Sequence, residues 1–241
     1  MKLRMESILP LLIGIPLFVS ACTVSESYTV RSYQLDEGQR VKRLVQAAIV
    51  SDGAASVDPA VLSMFQGVAR EFISHHHEYI LLGAAVLSKG ELADVRAKDG
   101  QAALPGATAS YGGRAQPGAA IDRLCRADFD GKRPHGVLLS RFERLDLNAA
   151  ADAVDLQVEA RLIDCETGLL VWRALGANTY AAQDPDLEQT IRGYANRYGE
   201  STRPYVAGAF LLARKLFDSM PDPDLNEDDI IEKIEIDALV E

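Results

Sequence analysis

Between Val154 and Leu162 the chain alternates without a break. Val154, Leu156, Val158, Ala160 and Leu162 are apolar, and Asp155, Gln157, Glu159 and Arg161 between them are polar. Successive side chains of a strand point to opposite faces, so this pattern predicts a strand with one buried and one wet face. A strand of that kind belongs to an antiparallel pair. The segment Asp164-Cys165-Glu166-Thr167-Gly168 supplies a turn with glycine where a hairpin loop needs a left-handed residue. Leu169–Ala174, which holds the only tryptophan at Trp172, then returns as the partner strand.

Upstream, Val41–Val50 is dense in aliphatic and β-branched residues and reads as a first strand. Asp58-Pro59 offers an N-cap with proline at the first helical position, and Leu62, Phe65, Ala69, Phe72 and Ile73 keep one apolar stripe on the helix that follows. Tyr79–Leu87 is apolar at almost every position, as expected of a strand covered on both faces. Residues 88–118 hold six glycines and two prolines, and beyond a short helix around Glu91–Lys98 they read as a mobile loop with no chemistry of its own. A short helix over Ala119–Arg126 and a strand over Gly136–Leu145 lead into the hairpin. Asp184-Pro185 and Thr202-Arg203-Pro204 each open a helix, and the second carries Tyr205, Ala209, Leu212, Leu216 and Met220 on one side. The expected fold class is α/β, a single-layer mixed β-sheet with helices packed on it.

The N-terminus carries Lys2 and Arg4, then an uncharged run from Ile8 to Val19 interrupted by Pro10 and Pro16. The run is too short to span a bilayer and has the layout of a secretory signal peptide. It closes on Val19-Ser20-Ala21-Cys22, which resembles the bacterial lipobox, whose cysteine becomes the acylated mature N-terminus. More than one acyl chain makes such attachment durable, at about 0.8 kcal/mol per buried CH₂. Thr23 stands where the inner-membrane retention signal has Asp, so the resemblance implies an outer-membrane anchor facing the periplasm. The expected organisation is a lipoprotein signal peptide (1–21), a lipidated N-terminus and tether (22–39), a periplasmic α/β domain (40–220) and an acidic C-terminal tail (221–241).

The hairpin Leu156–Ala174, with Asp164, Thr167, Gly168 and Trp172 in the order strand, D-x-x-T-G, strand, W, resembles one group of periplasmic proteins. These are the curli-secretion lipoprotein, the penicillin-binding-protein activator lipoprotein and the N-terminal domain of TolB, and the resemblance implies their small α/β fold. The lipobox at Cys22, the Cys125/Cys165 pair, this hairpin and the ending Leu216–Ile236 are similar to a family of bacterial outer-membrane lipoproteins without assigned activity. That resemblance implies an envelope lipoprotein and brings no catalytic residues.

With Cys22 committed to lipid, Cys125 and Cys165 remain, and in an oxidising compartment they read as one disulfide. Closing a loop of roughly 40 residues contributes about 4 kcal/mol in the chain-entropy model. The run His75-His76-His77-Glu78 invites a metal reading, with His75 and His77 on one face if the segment were a strand. A polar helix end, where imidazoles suit the C-terminal dipole, is the simpler reading, so no metal or other cofactor is expected. Residues 221–241 hold nine acidic side chains against Lys233, a balance of −8 within a chain of net charge −10. They read as a solvated tail, and the acidity argues against nucleic acid as a partner. No nucleophile elbow, Walker loop or dinucleotide fingerprint occurs. The expectation is therefore a non-enzymatic outer-membrane lipoprotein that binds envelope proteins in assembly or transport. A metal- or ligand-binding lipoprotein is the alternative, and an envelope hydrolase stands behind both.

Overall fold

The computed structural model describes residues 27–32, 40–50, 57–87 and 118–238. The signal-peptide segment, Cys22 and most of the glycine-rich loop lie outside the described residues.

Among the described residues six strands form one mixed sheet: β1 (Ser27–Ser32), β2 (Arg43–Val50), β3 (Ile80–Val86), β4 (Gly136–Asn148), β5 (Ala153–Asp164) and β6 (Leu170–Ala181). Their order across the sheet is β1-β6-β5-β4-β2-β3. The pairs β2/β3 and β2/β4 are parallel, and β4/β5, β5/β6 and β1/β6 are antiparallel. The expected α/β architecture is thus present. Part of the segment expected to be a tether is instead an edge strand: Ser27 lies opposite Ala177 and Ser32 opposite Trp172.

Helix α1 (Pro59–His76) starts where the sequence placed it, with Asp58 Oδ1 accepting from the Ala60 amide at 2.9 Å. Helix α2 (Ala119–Arg126) follows the glycine-rich segment. After β6 come a 3-10 turn at Pro185–Leu187, α3 (Glu188–Tyr198), a second 3-10 turn at Glu200–Thr202 and α4 (Arg203–Phe217). A last helix, α5, spans Glu227–Ala238.

The apolar half of the β5 alternation does what its pattern dictates. Val154, Leu156, Val158, Ala160 and Leu162 are all buried in the main core, with α4 packed on the strand. Trp172 is completely buried in the same layer beside Phe217, with ring centroids 6.1 Å apart. Helix α4 comes close to the sheet at Gly208, where a Cβ would lie 2.9 Å from Leu156 Cδ1 and 3.1 Å from Tyr180 Cβ. The opposite face carries a smaller core of Val45, Ala47, Ile49, Val137 and Leu139 beneath Ile121 and Leu124 of α2. A disulfide between Cys125 and Cys165 fastens α2 to the end of the hairpin, with the two Cα atoms 5.4 Å apart.

The hairpin turn is built as its residues suggest. Asp164 accepts from the Glu166 amide and the Thr167 hydroxyl, both at 2.8 Å, and Gly168 takes a φ of 69°. That dihedral lies in the left-handed region that glycine enters without a Cβ clash.

Two expectations are corrected. The Tyr79–Leu87 run is not a strand covered on both faces: among the described residues β3 pairs with β2 alone, and Ala84 and Val86 are exposed. Its apolarity is used at the two ends, where Tyr79, Ile80 and Leu81 and then Leu87 are buried. The polar side of β5 is not uniformly wet either. Glu159 is only 4 % exposed and accepts from Arg161 Nη2 at 2.7 Å and from Arg173 Nε, with Arg141 Nη1 3.9 Å away. Burial of a carboxylate is tolerated when opposite charges surround it.

Candidate functional site

The C-terminal segment, expected to be a solvated tail, is a docked helix. It leaves α4 through Met220-Pro221-Asp222-Pro223, where proline cannot continue a helix. The exit is clasped by side chains from the connection between α1 and β3 and from β6. Tyr79 donates its hydroxyl to Pro221 O, His77 Nε2 contacts Phe217 O at 2.8 Å, and His77 Nδ1 contacts Asp222 Oδ1 at 2.7 Å. Trp172 Nε1 donates to Ser219 Oγ at 3.3 Å. Burial pushes the Tyr79 phenol well above its ordinary range, so it stays a donor.

Helix α5 then begins with a reciprocal cap. Asn226 Oδ1 accepts from the Asp229 amide at 2.9 Å, and Asp229 Oδ2 accepts from the Asn226 amide at 3.0 Å. Glu227, Asp228 and Asp229 fill the first turn, where negative charge suits the helix dipole. The same Asp229 oxygen also receives Lys42 Nζ at 2.6 Å. One turn on, Glu232 takes both Nε and Nη2 of Arg43, and Lys132 Nζ lies 3.2 Å away. Lys233 turns inward to Ser74 O at 3.3 Å and to Asp237 at 2.8 Å.

These contacts set the local electrostatics. The Arg43 guanidinium holds the Glu232 carboxyl below its usual range, and hydrogen bonds from Lys42 and the Asn226 amide do the same for Asp229. Arg43 is raised in turn by its bond to Glu232. His135, 3.3 Å from Arg43 Nη1 through Nε2, is pushed down by burial and by that neighbouring cation.

The outward side of α5 reverses the usual arrangement of a surface helix, which turns its apolar stripe to the core. Ile230, Ile231 and Ile234 are 46 %, 56 % and 64 % exposed. At about 100° per residue they fall within an arc of roughly 100°. Glu227, Asp228 and Glu235 are exposed around them. Asp229, Glu232 and Lys233 thus face the domain, and the isoleucines face solvent. Fully burying an isoleucine side chain contributes about 1.5–3 kcal/mol, so a partner covering this face would gain appreciably.

The histidines singled out in the sequence do not converge. His75 Nδ1 contacts Glu71 O at 2.6 Å on the exposed side of α1, whereas both nitrogens of His77 are engaged in the clasp. His76 stacks on Phe72 with centroids 4.4 Å apart. Among the described residues no group of three or more His, Cys, Asp or Glu side chains is placed to hold a metal. A hollow of about 510 Å³ beside α2 is lined by Ala119, Asp122, Arg123, Arg126 and Ala127. Among the described residues no helix is long and apolar enough to cross a membrane.

Sequence reasoning missed the docked helix, although signals were available. Asn226 and Asp229 have capping-box spacing, and the isoleucines at 230, 231 and 234 keep helical spacing.

No protein-family model matches the chain, and no curated protein matches it. Among solved structures, the PelC dodecamer from Paraburkholderia phytofirmans is similar at 13 % identity and a TM-score of 0.42, covering 82 % of this chain and 98 % of that one. Lipoprotein GNA1162 from Neisseria meningitidis is similar at 12 % identity and a TM-score of 0.35, over 65 % of this chain and 96 % of that one. The hypothetical protein CT253 from Chlamydia trachomatis is similar at 11 % identity and a TM-score of 0.35, over 82 % and 99 %.

Proposed function

We propose that this chain is a non-enzymatic envelope lipoprotein, anchored through Cys22 in the outer membrane and facing the periplasm, that binds an envelope protein through α5. One observation carries the interaction reading. Ile230, Ile231 and Ile234 are held out in solvent by a helix whose charged side is bonded into the domain by Lys42–Asp229 and Arg43–Glu232. A contiguous exposed apolar face rimmed by polar residues marks an interaction site more often than chance exposure does. The signal-like N-terminus and the lipobox resemblance at Val19–Cys22 support the location.

The test is in-cell photocrosslinking of the full-length chain with a photoreactive phenylalanine derivative at position 234. A discrete protein adduct is expected. It should be absent when the same group stands at Arg192 on α3, and lost when Ile230→Ser and Ile231→Ser are added. No adduct, or adducts with lipid alone, would overturn the interaction reading. Anchoring is checked separately by Cys22→Ser, which should abolish acylation detected by mass spectrometry.

A further inference from the structure

Two features decide what kind of partner the α5 face accepts. The first is charge. Among the described residues of α5 every exposed charged side chain is acidic: Glu227, Asp228 and Glu235. The lysine of the helix, Lys233, is turned toward Ser74 O and Asp237. A second copy docking by the same face would set these carboxylates against one another, with no exposed base on α5 to offset them, an arrangement that two-fold pairing repeats on both sides. An anionic lipid surface meets the same repulsion.

The second feature is where the N-terminal chain enters. Four residues, Thr23–Glu26, separate Cys22 from the start of β1. They reach at most about 17 Å. Ser27 lies level with Ala177, Ala177 with Gln157, and Gln157 with Arg144. The chain therefore joins the sheet toward the end that holds the turn between Asn148 and Ala153. The other end, where Gly136 pairs with Asp164 and Leu44 with Gly136, is where Lys42 and Arg43 hold α5. Along β4 the two levels are eight residues apart, roughly 27 Å.

We infer that the outer face of α5 takes a protein partner presenting an apolar groove bordered by Lys or Arg side chains, on the side of the domain remote from the lipid anchor. This rests on the proposal that the face is an interaction site and that Cys22 is the anchor. The isoleucines supply the buried contact, and Glu227, Asp228 and Glu235 set the orientation and the choice of partner.

The experiment maps the position-234 crosslink at peptide level in the full chain and repeats it with Glu227→Gln, Asp228→Asn and Glu235→Gln combined. The expected adduct peptide belongs to a different protein and has apolar residues flanked by at least two Lys or Arg. The triple variant should lower adduct yield at least fivefold, while Asp186→Asn with Glu200→Gln, exposed acids elsewhere, should leave it unchanged. An unchanged yield in the triple variant, or an adduct peptide without basic residues, overturns this inference and leaves the interaction reading standing. An adduct with a second copy of the chain overturns it in favour of self-association. No protein adduct at position 234 brings down both.

Discussion

Arg43, at the first position of β2, grips Glu232, in the middle of α5, with two parallel hydrogen bonds across 189 residues of sequence. A guanidinium fork matched to both carboxylate oxygens is the geometry in which an ion pair gives direction as well as attraction. The pair decides which side of α5 meets the domain.

Glu232→Gln should therefore loosen α5 without opening the core. The side chains are 27 % and 12 % exposed, between an open surface pair and a fully buried one. Losing one partner should cost about 1–2 kcal/mol. Hydrogen exchange is expected to speed up at amides 227–238 and stay unchanged in β4 and β5. Equal exchange in α5 of both proteins would refute the role given to this pair.

Acid should lower the stability of the fold in two stages. His135 is depressed in the folded protein, so the unfolded chain takes up a proton first as pH falls through about 6.5, and stability declines. Asp229 and Glu232 are depressed too, so their contribution is present above the ordinary carboxylate range and is lost as pH falls below about 4. Thermal unfolding measured from pH 7.5 to 3 should show both declines. His135→Gln should remove the first and leave the second.

The disulfide between Cys125 and Cys165 closes 40 residues of chain. Reducing it, or replacing both cysteines by serine, should lower unfolding free energy by about 4 kcal/mol in the chain-entropy model. Urea titrations with and without reductant measure this directly, and coincident midpoints would contradict it.

Gly208→Ala sets two effects against each other. Alanine favours a helix over glycine by about 1 kcal/mol. Its Cβ, however, would meet Leu156 and the backbone-proximal part of Tyr180 at 2.9 Å and 3.1 Å. Overpacking of this kind costs about 1–3 kcal/mol, so a net loss of about 1 kcal/mol is expected by thermal or chemical unfolding.

The parts of the fold that are local in sequence were legible. Alternation identified β5 and the face it buries, Asp58-Pro59 marked the start of α1, and Asp164 to Gly168 marked the turn. What stayed hidden depends on partners far along the chain. Nothing near Tyr79 tells that Ala84 and Val86 further along the same run are exposed. The burial of Glu159 depends on Arg173, which sits on the next strand and donates to it. The candidate site was least legible of all, because nine carboxylates in the last 21 residues look solvated until Lys42, Arg43 and Lys132 are brought against two of them. The cap at Asn226 and the isoleucine spacing were the local clues, and charge density outweighed them.

The link between Cys125 and Cys165 also turns part of the chain into a covalent ring that contains β4, β5 and the tight turn joining them. A single cut by a protease in that turn would not release either piece. The severed halves would run together on a gel without reductant and separate when it is added, with the strands still paired in the native molecule. In a compartment rich in proteases, a break at that exposed tip is damage the domain can carry without coming apart.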